Sequence, residues 1–121
     1  MLTFPTIIIS FFTVLVVSII ICLCYRKYFL HIKHQDYYDD GNLKRVYFTV
    51  NGILDGIESI YYPTGELNKT KTWLNGVLEG PFVVFFRNGM PYIEGNYANG
   101  TYKGVYSVYD LNGQTIMQKE Y

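Results

Sequence analysis

The sequence predicts a mainly β protein, with one N-terminal transmembrane helix followed by an elongated antiparallel sheet of 24-residue β-hairpin repeats. Three observations predict it. Ten of the eleven glycines fall on a 24-residue grid: Gly41, Gly65, Gly89 and Gly113, then Gly52, Gly76 and Gly100, then Gly56, Gly80 and Gly104. Thirteen Tyr and eight Phe in 121 residues suit the half-buried faces of strands. Residues 4–25, FPTIIISFFTVLVVSIIICLCY, carry no charged side chain.

The apolar run comes first. Twenty helical residues span about 30 Å, the thickness of a bilayer's hydrocarbon core, so residues 1–25 read as a membrane helix in contact with lipid through residues 4–25. Pro5 stands where a first helical turn would begin, a position that needs no N–H. A cleaved signal peptide needs a basic start and a small-residue cleavage site. Neither is present, because the run exits at Cys22-Leu23-Cys24-Tyr25-Arg26-Lys27. Arg26, Lys27 and Lys33 on the C-terminal side set a single-pass topology. The N-terminus is expected outside and the C-terminal domain on the cytoplasmic or matrix-like side. Cys22 and Cys24 read as small apolar fillers of the span, with lipidation as the alternative. Residues 26–36 read as a basic juxtamembrane linker, with His31 and His34 on a surface helix and no metal site.

Residues 37–121 are the repeat domain. Asn51-Gly52, Asn75-Gly76 and Asn99-Gly100 are strong hairpin-turn signals, since both residue types tolerate positive φ. The first strand of each unit is expected near Ile57–Tyr62, Phe82–Phe86 and Val105–Tyr109. The return strand is expected near Leu67–Trp73, Tyr92–Tyr97 and Thr115–Tyr121. Along the return strands Leu67, Trp73, Ile93, Tyr97, Met117 and Tyr121 share one parity, while polar residues hold most of the other. Lys71 and Lys119 break that apolar parity. Off-grid Gly95 marks a close approach or a bulge. A partial unit opens at Tyr37, and its return strand runs from Leu43 to Thr49. Phe82, Val84 and Phe86, with Trp73, Tyr97 and Tyr106, form either intramolecular cover or a partner surface.

NGILDGIESIYYPTG at 51–65, NGVLEGPFVVFFRNG at 75–89 and NGTYKGVYSVYDLNG at 99–113 resemble the MORN repeat. The likeness is strongest to the longer bacterial variant of YwqK-type antitoxin proteins, and it covers residues 37–121. It implies successive hairpins with aromatics stacked in columns. It also implies an aromatic two residues after the second glycine of each unit, met by Phe82 and Tyr106 but not by Glu58. The first complete unit is therefore expected to pack loosely or act as an adapted cap.

Function is bounded mainly by exclusion. Ten Lys plus Arg against ten Asp plus Glu leave no basic footprint for nucleic acid. Both histidines precede the repeats, no cysteine follows residue 24, and the Asp55–Glu79 column becomes Lys103. No catalytic group, cofactor or metal is expected. The reading is a non-catalytic, membrane-tethered scaffold or protein-interaction module, either an accessory subunit of a membrane complex or a free-standing tether, with a protein partner that the sequence does not identify. The alternatives are an antitoxin or immunity-like protein binding a toxin, and a phospholipid-associated repeat domain.

Overall fold

A computed structural model describes residues 4–121, with side chains described at 11–25 and 30–121. The chain divides into two units, Met1–Leu30 and His31–Tyr121. The first contains helix α1 (Phe4–Phe29). Among its described apolar side chains, Phe11, Phe12, Ile21 and Leu23 are more than half exposed, and Cys22 and Cys24 are free thiols.

The membrane assignment does not stand. Among the described residues no helix is long and apolar enough to cross a membrane. The side chains at 4–10, which the expected span also needs, lie outside the described residues. The transmembrane helix, the lipid contact through residues 4–25, the single-pass topology and the membrane tether are corrected together, since all four rested on that span.

The second unit is one 11-stranded antiparallel sheet. Its strands are β1 (Ile32–Tyr37), β2 (Leu43–Val50), β3 (Ile53–Leu54), β4 (Gly56–Tyr61), β5 (Leu67–Leu74), β6 (Val77–Leu78), β7 (Gly80–Phe85), β8 (Pro91–Ala98), β9 (Thr101–Tyr102), β10 (Val105–Tyr109) and β11 (Thr115–Glu120). Four hairpins follow one another in the order β1-β2-β4-β5-β7-β8-β10-β11. The short strands β3, β6 and β9 fold back onto β2, β5 and β8. The sheet begins inside the segment read as a linker. His34 and Asp36 alternate with Lys33 and Gln35 and pair along β2, so the histidines do not sit on a helix.

Two turn types generate the repeat. Asn51 and Gly52 have φ of 52° and 79°, positive at both central positions, and Asn75-Gly76 and Asn99-Gly100 repeat this geometry. Such turns match strand twist and let β3 pair tightly with the strand it leaves. At the other end of each hairpin a glycine with positive φ closes a turn by donating its N–H three residues back, as Gly65 does to the Tyr62 carbonyl at 2.9 Å. The register then shifts by one residue at the same place in every hairpin, between Asp36 and Tyr37, Ile60 and Tyr61, Val84 and Phe85, and Val108 and Tyr109.

Neighbouring hairpins share only short ladders. Arg45 and Val46 pair with Ile60 and Ser59, and the rest of that edge of β2 is taken by β3. Side-chain contacts across the faces must therefore supply much of the cohesion. Among the described residues the buried set is small: Phe82, Val108, Thr49, Glu58 and Ser107.

Candidate functional site

Register and side-chain alternation define two faces. One, called the front face here, carries His34, Glu58, Phe82 and Tyr106 on the first strands of the four hairpins. Their cross-strand partners are Tyr47, Lys71, Gly95 and Lys119. The same slot is filled four ways. His34 stacks on Tyr47 with centroids 4.9 Å apart, and its Nε2 lies 2.8 Å from the Thr49 hydroxyl. Lys71 lies 3.9 Å from the Glu58 carboxylate. The Phe82 ring lies directly over Gly95, where an added Cβ would meet Phe82 Cε1 at 2.5 Å. Gly95 is therefore a close approach within a strand. Lys119 sits 4.1 Å from the centroid of the Tyr121 ring, which packs edge-on against Tyr106.

Glu58 is 3% exposed. Arg45 Nε donates to its Oε1 at 2.5 Å and Trp73 Nε1 donates to its Oε2 at 2.8 Å, so both carboxylate oxygens are matched. Arg45 in turn lies 4.1 Å from the Tyr47 ring centroid. The expectation of a loose first unit is corrected: a charged and hydrogen-bonded network takes the place of an aromatic one.

On the third and fourth hairpins the front face is aromatic. Phe82 contacts Tyr97, Tyr102 and Tyr106 at centroid distances of 4.9, 5.7 and 6.2 Å. Tyr102 also meets Tyr97 at 4.8 Å and Tyr121 at 5.3 Å. Burial, followed by the hydrogen bond and proximity of Tyr102, pushes the Tyr97 phenol up to about 12. Burial likewise raises Tyr106. Phe82 is 6% exposed, whereas Tyr102 and Tyr121 are 41% and 51% exposed. The cluster has a buried base and an open rim.

The sequence-predicted surface residues separate into three places. Phe82, Tyr97 and Tyr106 meet in the cluster. Trp73 belongs to the Glu58 network, and Val84 pairs between Lys69 and Ile93 on the same face. Phe86 is apart from both, at the hairpin turn, where it packs against Tyr92 at 4.8 Å. Tyr102 was absent from that set although it is central to the cluster. Its signal is the repeat column Leu54, Leu78, Tyr102, in which a tyrosine replaces leucine.

Asp55 and Glu79 tie one repeat to the next. Asp55 Oδ2 accepts from the Asn75 N–H at 3.0 Å, and Glu79 Oε2 accepts from the Asn99 N–H at 2.7 Å. The following glycine N–H groups donate to Leu54 and Leu78 carbonyls at 2.8 and 2.9 Å. The Asn75 N–H, then His31 at 2.8 Å, hold the Asp55 carboxyl below its ordinary value.

Residues 54–75 and 78–99, less than half of the chain, match the family described as MORN repeat variant. The resemblance therefore holds for repeats and not for a membrane-anchored protein. No curated protein matches the sequence. Among solved structures, the chain is similar to one titled crystal structure of accessory secretory protein 1,2 and 3 in Streptococcus pneumoniae, with 10% identity and a TM-score of 0.46. The likeness covers 73% of this chain and 17% of that chain, and carries no functional argument. The antitoxin and phospholipid readings are not carried further, since what matches is the repeat alone. The repeat match is consistent with a non-catalytic chain, and among the described residues no group of three His, Cys, Asp or Glu could hold a metal ion.

Proposed function

We propose that the repeat sheet is a protein-interaction module, docking a partner on the front-face tyrosine cluster of the third and fourth hairpins. One observation carries this reading: five aromatic rings contact one another, yet Tyr102 and Tyr121 remain 41% and 51% exposed. Tyrosines held by a buried Phe lose little conformational freedom on binding, and each offers an apolar ring with a polar tip. The repeats supply the rigid backing. The Glu58 network fixes the adjoining part of the face, so the cluster is presented on a preformed surface.

The test compares the full-length chain with Tyr102→Ser and Tyr121→Ser in quantitative co-precipitation, alongside thermal unfolding. Partner recovery should fall at least tenfold while unfolding changes little. Equal recovery from wild type and the double variant would refute the proposal. Phe82→Ser is the structural control, because its ring is buried and its loss should lower the unfolding midpoint.

A further inference from the structure

Two carboxylates stand on inner strands of the sheet, and the fold treats them differently. Glu58 on β4 receives Arg45, Lys71 and Trp73. Glu94 on β8 receives a single tyrosine hydroxyl: Tyr109 donates to its Oε2 at 2.9 Å. Glu94 pairs with Val83 on one side and Ser107 on the other, so its flanks bring no charge. Among the described residues no Lys, Arg or His forms an ion pair with it. It is half-buried. A carboxylate drawn partly out of water is unfavourable unless a cation or several donors replace the lost hydration.

The unmatched carboxylate faces a cleft. Pro91, Glu94, Tyr109 and Gly113 line a space of about 260 Å³ between the third and fourth hairpins. This is below the roughly 300–1,000 Å³ of pockets that enclose a whole small ligand, and it suits the end of one side chain. The repeat columns explain why it occurs here. At the two preceding junctions the residues equivalent to Glu94 are Val46 and Thr70, and those equivalent to Pro91 are Leu43 and Leu67. Only the last junction combines a carboxylate, a tyrosine and a short rigid residue. Glu94 points away from the front-face cluster, since its neighbour Ile93 shares the front face with Val84.

We infer that this back-face cleft receives a single Lys or Arg side chain of a polypeptide partner, its cationic head on the Glu94 carboxylate and against the Tyr109 ring. The carboxylate supplies a charge-assisted hydrogen bond, and an aromatic face attracts the same cation. The inference does not rest on the front-face docking proposal, and variants of one face leave the other intact.

The experiment titrates the full-length chain, at low salt, with acetyl-Gly-Arg-Gly-amide and with the same peptide carrying citrulline, which keeps the shape and loses the charge. Amide resonances of Glu94, Tyr109 and Gly113 report binding. The arginine peptide should give saturable shifts, the citrulline peptide none, and Glu94→Gln should weaken binding at least tenfold. Pro91→Leu, which installs the residue of the preceding hairpins and retains Glu94, should also abolish the shifts and decides the matter if Glu94→Gln does not fold. No saturable shift with the arginine peptide, equal shifts with citrulline, or undiminished binding by a folded variant would overturn the inference.

Discussion

Glu58 shows how much one side chain can decide. Removing it leaves Arg45 without its nearest carboxylate and Trp73 Nε1 without an acceptor. Glu58→Ala should therefore lower unfolding stability by about 3 kcal/mol, the scale for breaking a buried ion pair on one side, as read by urea denaturation. A loss within experimental error would mean that Arg45 and Trp73 find water at no cost. Tyr97 gives a pH-dependent counterpart. Its phenol is raised from 10.0 to about 12 because the fold favours the neutral form. That stabilisation is fully present below pH 10 and is lost as pH rises towards 12. Tyrosinate absorbance should show a late-titrating component, and the unfolding midpoint should drop over the same range; Tyr97→Phe should diminish that component, leaving the raised Tyr106. Glu58 was visible in the sequence only as a departure from an aromatic pattern. Its partners Arg45, Lys71 and Trp73 lie 13 to 15 positions away, a distance at which residue spacing in one chain does not specify contact.

At the scale of the element, the Asn-Gly turn is both a local and an inter-repeat structure. Locally, Asn and Gly accept positive φ at low cost, which is why these turns were legible from residue type alone. Between repeats, each turn is anchored by the acidic residue twenty positions earlier, Asp55 to Asn75 and Glu79 to Asn99. Asp55→Ala should speed hydrogen exchange at Asn75, leave Asn99 unchanged, and cost about 1 kcal/mol, since the group is partly exposed. The sign with pH is fixed by the lowered carboxyl. The contribution is present above the ordinary value of 3.8 and fades as pH falls through the lower folded value. Wild type and Asp55→Ala should therefore converge in strong acid. A gap that persisted there would assign the effect to something other than the charge. The strand read as linker, β1, was missed for a related reason: Ile32–Tyr37 alternates only weakly in hydropathy, and β2 defines it by pairing.

For the molecule as a whole, the repeat unit His31–Tyr121 is a chain of hairpins joined by short ladders and face contacts, so its stability should vary along the array. All six residues of β11 are exposed, whereas β4, β5, β7 and β8 have neighbours on both edges. Hydrogen exchange should be fastest in β11 and slowest in β4 to β8, with Phe82 at the most protected position of the third hairpin. Uniform protection across all four hairpins would contradict a nearest-neighbour array. The N-terminal unit follows a different lesson. Its apolar sequence suggested a membrane span, but among the described residues no helix is long and apolar enough to cross a membrane.

What the sequence by itself determined is the local and periodic part: where the chain turns, because positive φ selects Asn and Gly, and how often, because the glycine columns recur every 24 residues. What only the tertiary structure decided is which columns change chemistry together. The ion-paired slot of Glu58, the ring-over-glycine slot of Phe82, the Tyr102 bridge and the unpaired Glu94 depend on register between strands. A strand's side chains alternate whatever lies opposite, and the partner that completes each one is set by pairing rather than by its own neighbours in sequence.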